Sequence, residues 1–161
     1  MFKIIKTYKY SCLFFAEGRK DKNFLYALID LEKFKHHTAD WKIITDHASG
    51  CSPQTILEQC AKVTNGLSYH LIVCFIDLDK LKSDYKKTWE KEKIALEQKF
   101  SNFKIIWQED NAEDEYRKVL GDQAGKHKIN KLAKERINQF INSSYWKRII
   151  NCIKDREVEL E

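Results

Sequence analysis

The segment "LFFAEGRKDKNFLYALI", residues 13–29, decides how this chain is read. An apolar run, Leu13–Ala16, stops at a lone carboxylate, Glu17, and a glycine, Gly18, follows it. Charged residues come next, and then Phe24, Leu25 and Leu28 at helical spacing. A buried strand that ends on an acid and feeds a helix is where open α/β sheets place their chemistry. Residues 71–80, "LIVCFIDLDK", repeat the device with two acids, Asp77 and Asp79. The run before them is apolar on both faces, as a central parallel strand requires. The two segments therefore raise one question, whether Glu17, Asp77 and Asp79 form a single site.

Working outward, four strand-like runs alternate with helical ones: Ser11–Ala16, "WKIITD" (41–46), His70–Ile76 and "FKIIWQ" (103–108). Asp21 suits the cap of the first helix, whose apolar stripe continues through Leu31 to Phe34. Ser52 and Pro53 fit the N-cap and first position of a second helix, which carries Ile56, Leu57, Cys60 and Val63 and stops at Asn65-Gly66. After the third strand a long charged helix is expected, with Leu81, Tyr85, Trp89, Leu96 and Phe100 inward. The fourth strand runs into "EDNAEDE" (109–115) and a short helix over Asp114–Leu120. From Lys128 one or two further helices follow, with "NSS" (142–144) as the break. This order predicts an α/β fold: a mostly parallel four-stranded sheet flanked by helices, with a helical C-terminal extension. Right-handed crossovers then gather every strand C-terminus along one edge.

The chain's 161 residues suit one domain, with a core over about 10–120 and the extension over about 121–161. Its 43% apolar and 33% charged residues describe an ordinary globular protein. The longest apolar runs fall far short of the ~20 residues of a membrane span. "MFKIIKTYKY" lacks the apolar core of a signal peptide, so a cytoplasmic protein without membrane association is expected. Five scattered cysteines offer no CxxC pair, and no zinc site is expected. The net charge of +5 is concentrated: seven Lys and Arg lie between Lys126 and Arg148, opposed there only by Glu135. That bias suits a polyanion, although basic helix faces are also commonly just solvated.

One acid after a strand is often only a turn former. Two aspartates separated by one residue are different, because strand alternation would aim both to one side. Converging carboxylates repel unless a proton or a cation is shared, and oxygen donors suit Mg²⁺ or Mn²⁺.

Glu17-Gly18 after a first strand and Asp77-Leu78-Asp79 after a third resemble the Toprim domain, shared by topoisomerases, bacterial primases and several nucleases. "EGRKDKNFLYALI" and "IDLDKLKSDY" are closest to its OLD/RloB-like nuclease branch, over about residues 10–120. The resemblance implies metal-dependent phosphodiester cleavage of DNA or RNA, in bacterial defence or a mobile element. Glu17, Asp77 and Asp79 would be the catalytic and metal-holding residues. Glu113 or Glu109 would anchor a second ion, a pattern this chain matches only loosely. Gly18 would allow a sharp turn and close phosphate approach. Arg19, Lys20 and Lys22, with Lys126, Lys128, Lys131 and Lys134, would contact nucleic acid. No GxxxxGK[ST] occurs, so an ATPase would have to be a separate partner chain.

Rival readings fit less well. In haloacid-dehalogenase-like phosphatases the DxD motif follows the first strand, and receiver domains carry the reverse count of acids. GxSxG is absent. A non-catalytic nucleic-acid- or protein-binding module on the same scaffold is the alternative, and its mark would be loss of a core carboxylate.

Overall fold

The computed structural model describes residues 6–161. Strands β1 (Tyr10–Ala16), β2 (Trp41–His47), β3 (Leu71–Asp77) and β4 (Lys104–Gln108) form an all-parallel sheet in the order β2-β1-β3-β4. Alternation along β1 sends Cys12, Phe14 and Ala16 to one face and Leu13 and Phe15 to the other. β3 divides in the same way, with Val73 and Phe75 opposite Cys74 and Ile76. Both central strands are buried on both sides, which explains why their sequences are continuously apolar.

Helices α1 (Arg19–Ile29) and α2 (Glu32–His37) carry the chain from β1 to β2 across the first face. Helix α3 (Pro53–Thr64) crosses the second face to β3, and α4 (Asp79–Asp84) and α5 (Trp89–Lys99) cover that same face on the way to β4. Right-handed crossovers demand this arrangement: the first connection moves one way along the sheet, and the next two move the other way. Ser52 caps α3 by accepting from the Thr55 N–H at 3.4 Å, with Pro53 at the first helical position.

Several local expectations need correction. The long charged helix is two, because Tyr85 leaves helical geometry at φ −128°, ψ 61°. Tyr85 is consequently exposed, and in α5 only Leu96 is buried. Val63 also faces solvent. Asp21 is not the N-cap of α1. Gly18 is, and Asp21 sits in the first turn, near the Gly18 backbone.

The first face is completed by α6 (Ala112–Leu120), α7 (Lys126–Glu135), a 3₁₀ turn (Ile137–Phe140) and α8 (Ser144–Leu160). Asn111 caps α6 from two residues earlier than expected. Ile129, Ala133, Phe140, Tyr145, Trp146, Ile149 and Ile153 all enter the core cluster that holds Phe14 and Phe75. Arg148 ties α8 to the end of β4, donating to the Trp107 carbonyl at 3.1 Å and to Glu115 Oε2 at 2.8 Å. The C-terminal helices are therefore one wall of the main core.

That packing predicts unequal costs along α8. Trp146, buried edge-on against Phe34 at 5.2 Å between ring centroids, should cost about 3–5 kcal/mol on Trp146→Ala. The exposed Val158 should change stability by less than about 0.5 kcal/mol on Val158→Ala. Urea unfolding checks both values. Equal, small effects would mean that α8 is peripheral.

Candidate functional site

The chain leaves β1 in one direction along the sheet and returns across it to β3, so the order reverses between these two strands. Crevices at such reversal points, outside the strand C-termini, are where α/β sheets bind ligands. Glu17 follows the last residue of β1, and Asp77 is the last residue of β3. The Asp77 N–H donates to Glu17 Oε2 at 3.2 Å, and the two carboxyl groups lie close enough to shift each other's proton affinity. Asp79 opens α4 beside them, exposed, with its Oδ1 accepting from the Lys80 N–H at 2.7 Å. Glu17, Asp77 and Asp79 line one cleft of about 580 Å³ together with Gly50, Cys51, Lys80 and Ser83.

Two more acids belong to this electrostatic group. Asp21 from α1 and Glu113 from α6 lie close enough to Glu17 to raise its proton affinity or have theirs raised by it. Glu113 is buried, and its Oε1 accepts from Asn130 Nδ2 at 3.3 Å and stands 3.9 Å from Lys126 Nζ. Burial, followed by repulsion from Glu17, pushes the Asp77 carboxyl up to about 10. Burial, then Glu113 and Glu17, pushes Asp21 up to about 7. Burial also raises Glu17, against the hydrogen bonds from Asp77 that favour its ionised form. Of the two, Asp77 is the group pushed more strongly towards its protonated form.

The other expected acid stands apart. Glu109 is exposed, paired with Lys118 Nζ at 2.8 Å, and faces a different cleft lined by Glu115, Lys118 and Arg148. Of the two residues considered for a second ion, only Glu113 lies with the cluster.

The basic residues divide similarly. Lys20 Nζ lies 3.1 Å from His127 Nδ1, which joins the N-termini of α1 and α7, and Lys126 Nζ approaches Glu113. Lys22 is half-buried on α1, Arg19 is exposed at its start, and Lys128 is exposed on α7. Lys131 and Lys134 lie further along α7, and Lys131 pairs with Glu135 at 3.8 Å.

Gly18 is extended at φ −146°, and an added Cβ would only touch Asp21 Oδ2 at 3.8 Å. The expected sharp turn is not its role, because any residue adopts that backbone. Gly50, at φ +71°, is the cleft glycine whose conformation L residues avoid, and its N–H donates to the Glu17 carbonyl at 3.1 Å.

Sequence reasoning missed Asp21 as a member of the group, and also Gln108 and Tyr145. Gln108 Nε2 donates to Asp77 Oδ1 at 2.6 Å, and Tyr145 OH donates to Gln108 Oε1 at 3.1 Å. The available signals were a second acid four residues after Glu17 and a polar residue closing an apolar strand.

As donors these oxygens suit a hard divalent ion. Among the described residues no three His, Cys, Asp or Glu side chains stand ready-made to hold a metal. Glu17 and Asp79, whose oxygens now accept from the Asp77 and Lys80 N–H groups, would have to turn towards it. Among the described residues no helix is long and apolar enough to cross a membrane. No protein-family model, curated protein or solved structure matches the chain.

The raised carboxyls make a pH prediction whose sign follows from linkage. The folded protein holds protons that the unfolded chain has lost above pH ~4, so stability falls as pH rises from there towards 7 for Asp21 and 10 for Asp77. Asp77→Asn keeps an oxygen for Gln108 and offers Glu17 a donor without the charge. Its Tm should exceed the wild-type value at pH 8, by about 2–4 °C for each kcal/mol relieved. The gap should close towards pH 4. A variant less stable at pH 8, or a gap independent of pH, would contradict the raised Asp77 carboxyl.

Proposed function

We propose that the chain is a Toprim-like nuclease of the OLD/RloB-like type, cleaving phosphodiester bonds in DNA or RNA with Mg²⁺ or Mn²⁺. The observation that carries this reading is the Glu17–Asp77 carboxyl contact at the β1/β3 reversal point, with Asp79 in the same cleft. Folding holds these acids together at a cost in stability, and a bound cation would offset it. Glu17, Asp77 and Asp79 are the residues that would hold the ion, with Asp21 and Glu113 beside them. An ion there would neutralise charge on the phosphate and acidify water at the site.

The chain's own residues supply the remaining requirements. With an ion held there, Asp77 would give up its proton to solvent, and the Glu17 carboxylate would stand at the cleft as a base for water. Lys126, beside Glu113, and Lys20, at the start of α1 against His127, hold the phosphate backbone near the reacting group. In this reading the protein acts in the cytoplasm, and any ATP-driven control comes from a separate partner chain.

The purified protein with Mn²⁺ or Mg²⁺ should cleave at least one substrate among single- and double-stranded DNA and RNA. Glu17→Gln or Asp79→Asn should lower the rate ~10²-fold or more while leaving binding in place. Lys20→Glu and Lys126→Glu should weaken binding and reduce its salt slope by about one each. Tight, salt-sensitive binding without cleavage across all four substrates, with ATP and cell extract added, would favour the binding module instead.

A further inference from the structure

We infer that Gln108 and Tyr145 are positioning residues that fix the Asp77 carboxylate for its work, so that α8 is part of the reacting unit. Gln108 is 1% exposed and Tyr145 is 2% exposed. Gln108 is the register partner of Asp77 on the neighbouring strand, and both point to the face covered by α8. A leucine or isoleucine at position 108 and a phenylalanine at 145 would pack there without the desolvation cost of an amide and a hydroxyl. These polar groups are instead spent on one another and on Asp77.

The direction of the chain follows from the acceptor at its end. Gln108 turns its NH₂ to Asp77 Oδ1, at 2.6 Å, the orientation that serves the carboxylate once its proton is lost, since an ionised carboxylate only accepts. Its carbonyl then faces Tyr145, whose hydroxyl must donate, at 3.1 Å. Tyr145 in turn has little freedom. Its ring lies 6.2 Å from Phe24 and 6.5 Å from Tyr116 between centroids, with the Arg148 guanidinium 5.4 Å from its own. Ser143 caps α8 just before it, accepting from the Trp146 N–H at 3.1 Å.

With Oδ1 so held, the Asp77 carboxylate presents its other oxygen to Glu17 and the cleft in a fixed plane. Without Gln108, an aspartate at a strand end can rotate away from its repelling neighbour. Groups that orient ligating carboxylates in this way typically account for 10–100-fold in metal affinity or activity.

This inference rests on the nuclease reading, and the test separates the two. Mn²⁺ affinity, by calorimetry on the full chain, and cleavage kinetics are measured for wild type, Gln108→Leu, Tyr145→Phe, the double variant and Asp77→Asn. Gln108→Leu should weaken Mn²⁺ binding about tenfold and lower kcat about 10–100-fold, with KM for nucleic acid changed little, because no phosphate contact is lost. Tyr145→Phe should show part of the same loss in Mn²⁺ affinity and kcat. The double variant should be no worse than Gln108→Leu alone, since both act through one hydrogen-bonded chain.

Wild-type Mn²⁺ affinity and kcat in Gln108→Leu, with both lost in Asp77→Asn, would overturn the positioning role and leave the nuclease standing. If Gln108→Leu does not fold, Tyr145→Phe decides, and unchanged Mn²⁺ affinity and kcat there overturn the role equally. A wild-type protein that neither binds Mn²⁺ nor cleaves would overturn both readings together.

Discussion

Two carboxyl groups pressed against each other where two central strands end set the terms for the rest of this molecule. Burial raises the proton affinity of both, Glu17 raises that of Asp77 further, and the hydrogen bonding from Asp77 favours the ionised form of Glu17. Everything around them either tolerates that cost or moderates it. The Asp77 N–H serves Glu17, the Gln108 amide serves Asp77, and the raised proton affinity of Asp77 lessens the charge left without a counter-ion. A protein built only to fold would place apolar side chains at these strand ends, as it does one residue earlier with Ala16 and Ile76. Retaining the acids makes sense when their charge is compensated during function.

The fold provides the rigid frame that such a cluster needs. β1 and β3 are covered on both faces, and their ends cannot separate without exposing Phe14, Phe15, Phe75 and Ile76. On one face the wall is formed largely by the last third of the chain. The Tyr145–Gln108 bond and the Arg148 bond to the Trp107 carbonyl join that wall to the end of β4, next to the cluster. Core packing and site geometry are thus coupled through α8.

Much of the architecture was legible in the sequence because it depends on local pattern. Apolar runs bounded by turn residues located all four strands to within about two residues, and strand–helix alternation implied the parallel sheet. The Glu17 and Asp77/Asp79 pairing was legible because crossover handedness forces strand ends to one edge. What escaped was whatever depends on register or on distant partners. Gln108 is recognisable only once it sits opposite Asp77, and Tyr145 only once α8 docks. Asp21 read as a helix cap because its neighbour Glu113 lies 92 residues away in the chain. The break at Tyr85 escaped because Leu81, Tyr85 and Trp89 keep helical spacing across a turn that the backbone does not continue.

The central claim, that these carboxylates are arranged for a divalent cation, is tested most directly by anomalous diffraction from crystals of the protein soaked in Mn²⁺ near pH 8. The account predicts a manganese peak bounded by Glu17 and Asp77, with Asp79 turned towards it. Manganese bound elsewhere on the molecule, with the Glu17–Asp77 contact unaltered, would contradict it.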